Sequence, residues 1–567
     1  MATLTQQELE SHLWKAADIL RGSIDSGDYK HYIFGLLFFK RLSDVWEEEY
    51  EERLKELEDE KLARDPEEHR FHIPSGSFWK DIKKKSTNIG ERLNSAFRKI
   101  EDENLRLKGV FQDVDFNNKD RFPDATLEKL IQHFDKYSLR KSDVPADMLG
   151  NAYEYLIAKF ADDAGATGGE FYTPKEVVRL IVEILQPQNN ESIYDPTCGS
   201  AGMLLEAFHF MERHKRNPKS LQMSGQEKNL NTWAISQMNL LLHDIDDAVI
   251  ARGDTIAEPK HLEASQSKHI KQFDIVLANP PFSLKSWGFE VWKNGDPFSR
   301  DKYGCPPQSY GDLAFVQHMI ASLKSKGRMG VVLPHGVLFR GGKEGGIRQG
   351  IIEDPADMVE GVIGLASNLF YGAGIPACIL ILNKNKPKDR KGKVIFINAE
   401  LDYEEGKAQN YLRTQDIKRI VDTFKKFEDV KRFAKVVKIE EIKENEFNLN
   451  IRRYADTSPP PEIFDVKGIL NGGIPKYELE DDYIKEMLGD FDIKKVFKSK
   501  NKDYFEFTDK VDSKEKIREL AGNVPSKTMK QLERFWEKYA TPLRAIEDEC
   551  AKAEKKMNSY LKELGYE

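Results

Sequence analysis

Apolar positions recur along this chain in two rhythms. In "SHLWKAADILRG" and "HYIFGLLFFKRLSDVWEEEYEERLKELEDEKL" they return every three or four residues, and the second stretch runs into a strongly acidic, solvated face. This spacing predicts a helical domain over residues 1–150, with Thr5 and Glu8 forming a capping box before its first helix. From about residue 160 short β-branched runs alternate with helical stretches: "SIYD", "GMLLEAFHFMERHK", "LQMSGQE", "NTWAISQMNLLLHDI", "AVIARGD", "FDIVLANPPF", "AFVQHMIASLKSKG", "RMGVVLP" and "IPACILILN". The alternation predicts an α/β domain over 151–455, a parallel, doubly wound sheet with helices on both faces. The proline-rich "TSPPPEIFD" ends it, and 456–567 reads as a charged, helical tail. Near the end, Leu543, Ile546, Cys550, Ala553, Met557, Tyr560 and Leu564 follow Pro542 at steps of three and four, a heptad seam. That seam suits an amphipathic helix on its own core and equally a contact with a partner chain, although Cys550 and Ala553 are weak for a self-sufficient coiled coil.

Composition narrows the class. A length of 567 residues is enough for roughly three to four domains. With 40% hydrophobic and 32% charged residues the chain is of the soluble, globular kind. Its longest apolar run, "YIFGLLFF", is far below the roughly 18 residues of a membrane span. The amino terminus lacks a signal-peptide pattern, which places the protein in the cytoplasm. Cys198, Cys305, Cys378 and Cys550 are scattered, and the 12 histidines include no H-E-x-x-H, so neither a disulfide framework nor a metal site is expected. The net charge of -8 is unlike that of a chain that grips DNA unaided, because phosphate neutralisation supplies most of such affinity.

The candidate chemistry sits at strand ends. "FDIVLA" reads as a buried strand, and "NPPF" (Asn279 to Phe282) follows it; Pro280 and Pro281 cannot pair in a ladder and make a stiff exit at the carboxyl edge, where α/β sheets bind ligands. Earlier, a strand ending at Asp195 turns through Gly199, Ser200, Ala201 and Gly202 into a helix, the form of a nucleotide-cofactor loop. Glu227 ends the next strand, where a carboxylate can accept both hydrogen bonds of a ribose diol, and Asp254 ends a third, placed for an adenine ring. Taken singly these are also a tight turn, a helix cap and a surface charge; their serial placement singles them out. Upstream, in "GGEFYTPKEVVRLIVEIL", Thr173 caps, Pro174 takes the first helical position and Glu176 completes a capping box. Capping leaves Phe171 and Tyr172 unexplained, and they could cover an adenosine and an amino-acid carboxylate. "FRGGKEGG" is a flexible loop that could face DNA rather than a phosphate loop, since Lys343 lacks a following Ser or Thr, and His318 and His335 are structural.

"NPPF", "DPTCGSAG" and "GEFYTP" resemble the catalytic, cofactor-loop and upstream motifs of adenine-N6 DNA methyltransferases. "GDLAFVQHMI", "GRMGVVLPHGVLFRGGKEGGIR" and "NLFYGAGIPACILIL" are similar to blocks of the modification subunit of type I restriction-modification systems. The resemblance spans residues 1–460 and more weakly the tail; Ala201 departs from it, standing where many relatives carry glycine. It implies a Rossmann-like methyltransferase sheet and transfer of a methyl group from S-adenosylmethionine to the N6 of an adenine flipped out of the duplex. It implies catalytic Asn279, Pro280, Pro281 and Phe282. The cofactor set it implies is Glu170, Phe171, Tyr172, Thr173, Pro174, Lys175, Asp195, Gly199, Ser200, Ala201, Gly202, Glu227 and Asp254, with no metal. Implied partners are DNA, a specificity subunit that docks on the tail, a second copy of the chain and a restriction subunit, since no Walker or nuclease pattern is present. Two other readings use the same residues: a protein-glutamine methyltransferase, and an idle cofactor-binding scaffold of a nuclease complex.

Overall fold

The structure is a computed structural model and describes residues 4–21, 26–112, 114–164, 172–264, 267–370, 376–406, 409–458 and 460–566. The chain divides into two compact units, Met1–Thr457 and Ser458–Glu567.

The first unit opens with the capping box: the Glu8 amide donates to the Thr5 hydroxyl at 3.3 Å, and the Thr5 amide donates to the Glu8 carboxylate at 2.9 Å. The helices Gln6–Leu20 and Ser26–Leu57 follow the predicted periodicity, burying Leu9, Leu13 and Leu20 from one and Phe34, Leu37 and Phe38 from the other. Each such side chain contributes about 1.5–3 kcal/mol when fully buried, which is what holds a helix of this length against its neighbours. The helix Ala146–Ala164 then leads to the sheet.

Nine strands form that sheet: β1 (Ser192–Asp195), β2 (Gln222–Glu227), β3 (Val249–Arg252), β4 (Phe273–Ala278), β5 (Leu323–Pro334), β6 (Val359–Leu365), β7 (Ala377–Asn383), β8 (Lys393–Ala399) and β9 (Ala434–Lys438). Their order is β3-β2-β1-β4-β5-β7-β6-β8-β9. The first five run parallel, but β7 is antiparallel to both β5 and β6, and β9 is antiparallel to β8. The sheet is therefore mostly, not wholly, parallel; an apolar run such as "ACILIL" is buried on both faces in either direction, so its composition does not reveal its polarity. The order reverses between β1 and β4, which pair in register at Ile193 with Ile275 and Tyr194 with Val276. That pairing sets the carboxyl ends of the two motif-bearing strands side by side at a topological switch point.

The second unit is not helical throughout. Besides its helices it carries a small antiparallel sheet of β10 (Ile474–Pro475), β11 (Phe497–Ser499) and β12 (Tyr504–Phe507), in the order β10-β12-β11. Ile474, Val496, Phe497, Ile517, Leu532 and Phe535 form its own core. Pro542 precedes the terminal helix Leu543–Glu563, of which no residue is buried; Leu543, Ile546, Met557 and Tyr560 are exposed. Among the described residues no helix is long and apolar enough to cross a membrane.

Candidate active site

Beyond the carboxyl ends of β1 and β4 lies a cleft of about 720 Å³, part of it open to solvent, a size typical of small-molecule sites. Of the residues singled out in the sequence, Tyr172, Thr173, Lys175, Asp195, Gly199, Ser200, Gly202 and Asn279 line it. Glu170 and Phe171 lie outside the described residues. Pro280 is buried behind Asn279, Pro281 is exposed, and Phe282 is half-buried against Phe370, ring centroids 5.8 Å apart and edge to face.

Thr173 does not cap. The helix Lys175–Leu185 has Pro174 at its N-cap, with no side-chain hydrogen bond to its first turn. Instead the Asn279 side-chain amide donates to the Thr173 hydroxyl at 3.0 Å. This corrects the expected capping box and has a chemical consequence. With its NH₂ group turned to Thr173, Asn279 keeps its side-chain carbonyl oxygen buried and without a protein partner among the described residues. Two further buried polar atoms of the cleft, Thr197 Oγ1 and Asn239 Oδ1, also lack one. Buried polar groups are rarely left so, and three in one cleft mark a place built for a polar ligand.

The loop after β1 is shaped by its backbone. Gly199 and Ala201 both lie in the left-handed region, at φ 52° and 67°. An alanine held there costs about 1–2 kcal/mol, which here is set against complete burial of its methyl group. At Gly202 an added Cβ would meet only the Ser200 hydroxyl, at 4.0 Å, so protein packing does not require glycine there; its effect is to widen the cleft. Glu227 braces this loop from β2: the Gly199 amide donates to its Oε2 at 2.9 Å and the Asn229 amide to its Oε1 at 2.8 Å. Asn239, from the helix Leu230–Leu242, donates to the Ser200 carbonyl at 2.9 Å.

Asp195 is almost fully buried. Burial, with the nearby charge of Glu227 adding to it, pushes its carboxyl group up to about 8, against the opposing bond from the Thr197 amide at 3.0 Å. Burial raises Glu227 as well, while the amides it accepts from pull it down. Lys175 is paired with Glu154 at 2.7 Å at the cleft's rim. Asp254 is not among the lining residues; its Oδ1 accepts from the Ile256 and Ala257 amides at 2.9 and 3.0 Å and its Oδ2 pairs with Lys228 at 2.7 Å, so it shapes the turn after β3.

Two supports were not foreseen. Buried Asp312 accepts from the Ser283 amide at 2.8 Å and pairs with Arg340 at 3.2 Å, fixing the chain just after "NPPF", where Ser283 holds a left-handed φ of 52°. Buried Arg300 pairs with Asp296 at 2.6 Å and donates to the Thr255 and Ile256 carbonyls, while the Thr255 hydroxyl donates to the Pro196 carbonyl at 2.6 Å. "FRGGKEGG" is loop only to Gly341; from Gly342 it is the start of the helix Gly342–Ile352, tied down where Arg348 donates to the Val337 and Arg340 carbonyls and Arg340 pairs with Glu344. His318 and His335 are structural, buried or half-buried, the first against the Tyr194 hydroxyl at 3.2 Å and the second on the Ala377 carbonyl at 3.1 Å. Glu154, Thr197 and Asn239 are cleft residues that the sequence reading missed; the one available signal was Asn239, a polar residue within the apolar run "MNLLL".

The chain is similar to known proteins over most of its length. The N-6 DNA Methylase family matches residues 144–462, and the HsdM N-terminal domain matches residues 9–134. The type I restriction enzyme MjaVII methylase subunit of Methanocaldococcus jannaschii is 33% identical over 513 residues, 86% of this chain and 84% of that protein. The MpnII methylase subunit of Mycoplasma pneumoniae is 30% identical over 82% of this chain and 92% of that one. The structure of a type I restriction-modification system methyltransferase subunit from Streptococcus thermophilus is 32% identical, with a TM-score of 0.69, covering 80% of this chain and 100% of that one.

Proposed function

Since the chain belongs to the N-6 DNA methylase family, as an adenine-specific DNA methyltransferase of the type I restriction-modification kind, we propose that its cleft binds S-adenosylmethionine and that the methyl acceptor is the N6 of an adenine turned out of the duplex. The observation that carries the reading is the free carbonyl oxygen of Asn279, held buried by the bond its amide makes to Thr173.

The residues present fit that cofactor. Asp195 offers a carboxylate to a cationic ligand, Gly202 leaves it room, and Thr197 and Asn239 have unused acceptor atoms. Tyr172, Thr173, Pro174, Lys175 and the turn Gly199 to Gly202 would hold it. Glu227 spends one lone pair of each oxygen on the loop and keeps others for a ribose diol, whereas Asp254 acts through the turn it shapes. When bound, S-adenosylmethionine supplies an electrophilic methyl group.

The chain's part is to make a poor nucleophile reactive. The lone pair of an adenine amino group is delocalised into the ring. Asn279 Oδ1 and the Pro280 carbonyl accept hydrogen bonds from its two N–H groups and favour a tetrahedral nitrogen, the prolines hold these acceptors where positive charge develops, and one of the two protons leaves to solvent after transfer. Phe282 gives the extruded base a ring to stack on; extrusion costs a few kcal/mol and base-aromatic stacking returns about 1–3. Positioning supplies most of the rate. Residues 151–455 carry this chemistry, and the exposed seam of the terminal helix docks a specificity subunit, in an assembly with a second copy of the chain and a restriction subunit.

The test is transfer of labelled methyl from S-adenosylmethionine to duplex DNA, by the chain alone and by the complex co-expressed with its specificity subunit, with the methylated base identified. N6-methyladenine from the complex is expected, lost in Asn279→Ala although that variant assembles and binds cofactor. Robust site-specific methylation by the chain alone would remove the partner requirement. No methylated DNA from either preparation, despite cofactor binding, would overturn the reading in favour of a protein amide substrate or a scaffold.

A further inference from the structure

We propose that a basic groove on the helical amino-terminal region is a separate contact for the phosphate backbone of DNA; the choice of DNA as occupant rests on the function proposed above. The groove, of about 820 Å³ and open to solvent, runs between the short helix Trp79–Lys83 and the helix Ile89–Glu103. Lys84 and Lys85 line one side. Arg92 and Lys99, seven residues apart and so on one face of the longer helix, line the other. All four are exposed. Between Arg92 and Lys99 the groove's floor is half-buried Ser95 and buried Ala96, small enough to let a backbone approach.

What sets these cations apart is that no carboxylate neutralises them, although the Arg92 Nε donates to the Thr87 carbonyl at 3.5 Å. Lys80 and Lys83, in the same short helix, are paired with Glu47 and Asp135 at 2.9 and 3.0 Å. Lys84, Lys85, Arg92 and Lys99 make no ion pair among the described residues. The single acidic lining residue, Asp81, has its Oδ2 engaged by the Phe78 amide, and the hydroxyl of Ser77, 1% exposed, lines the groove without a hydrogen-bond partner among the described residues. Four cations without an ion pair among the described residues, on a chain of net charge -8, are a local reversal of sign, the form in which an acidic protein can still attract a polyanion. The region that carries them is also tied to the working edge of the sheet: Arg252, at the carboxyl end of β3, donates to Gln112, nine residues past the end of the Ile89–Glu103 helix, at 3.3 Å. With no base-reading group in it, the groove adds affinity that is independent of sequence.

The experiment compares the wild-type complex, assembled with its specificity subunit, with the same complex carrying Lys85→Gln and Lys99→Gln. Binding to fluorescent duplexes with and without the target site is followed by anisotropy across a salt series, and methyl transfer is measured in parallel. Losing two phosphate contacts lowers the slope of log affinity against log salt by about 2 and weakens both duplexes by the same factor. The maximal methylation rate at saturating DNA stays that of wild type. Unchanged slope and affinity would overturn the proposal, and so would a variant that no longer assembles but whose assembled fraction binds DNA normally, which would assign the groove to an acidic protein surface. The outcomes are separable, because a wild type that binds DNA but transfers no methyl to adenine contradicts the proposed function and leaves the binding comparison standing.

Discussion

One hydrogen bond decides which end of Asn279 faces the cleft. Remove its partner with Thr173→Val and the side-chain amide has no fixed acceptor, so the carbonyl is no longer held in the orientation the reaction needs. The expected cost is about 1–3 kcal/mol in the chemical step, a fall in kcat of roughly five- to 150-fold, beyond whatever cofactor affinity is lost with the Thr173 hydroxyl; single-turnover methylation at saturating cofactor and equilibrium binding measure the two separately. Asp195 makes a prediction of opposite kind, on binding. Its carboxyl group, pushed up to about 8, is largely protonated at neutral pH and must ionise to hold a cation. Cofactor affinity therefore rises with pH up to about 8 and then levels, protons are released on binding, and Asp195→Asn flattens the profile; calorimetry in buffers of different ionisation enthalpy reads both. The sign for folding is the reverse. Between the unfolded value near 4 and the folded value near 8, the native state holds a proton the unfolded chain has lost, so this residue's contribution to stability declines as pH rises through that window.

At the level of elements, the strand-to-helix alternation was legible because short buried strands and amphipathic helices have different periods, and the motifs were legible because each follows a strand. The direction of β7 was not, since a strand buried on both faces reads the same either way. Nor were β10 to β12: two to four residues flanked by charge carry no alternation to detect. The misplaced cap shows another limit. Thr173-Pro174 satisfies every local rule for a helix start, and only a residue 106 positions away along the chain explains why the hydroxyl is spent elsewhere. The Arg300 network is of this long-range kind, joining the segment after "NPPF" to the loop after β1 through Thr255. Arg300→Met leaves Asp296 buried without its counter-charge, which costs about 3–5 kcal/mol, and a lowered melting temperature in calorimetry is the expected sign. Loss of cofactor binding should accompany it, because Pro196 loses the strand-end support that Thr255 gives.

For the whole molecule, the two compact units make separable claims. The second has its own small core and sheet, yet its last helix buries no side chain. Deleting residues 542–567 is therefore expected to leave the thermal unfolding of the chain nearly unchanged while abolishing co-purification with the specificity subunit; a destabilised truncation would show instead that the helix supports its own fold. Its apolar seam, evident in the sequence, could not be assigned to an internal or external contact from spacing alone, because the periodicity is the same in both cases.

That bare helix also bears on how long a chain survives without its partner. The bond from Arg544 to Asn471, at 2.8 Å, is an exposed contact of the kind that opens cheaply, and the segment beyond it lies within reach of any protease. A subunit made in excess would be clipped at its end, and if that helix docks the specificity subunit, as proposed, a clipped subunit could not join an assembly. Supply of the partner would thus set the lifetime of this one, matching the two pools without a dedicated regulator.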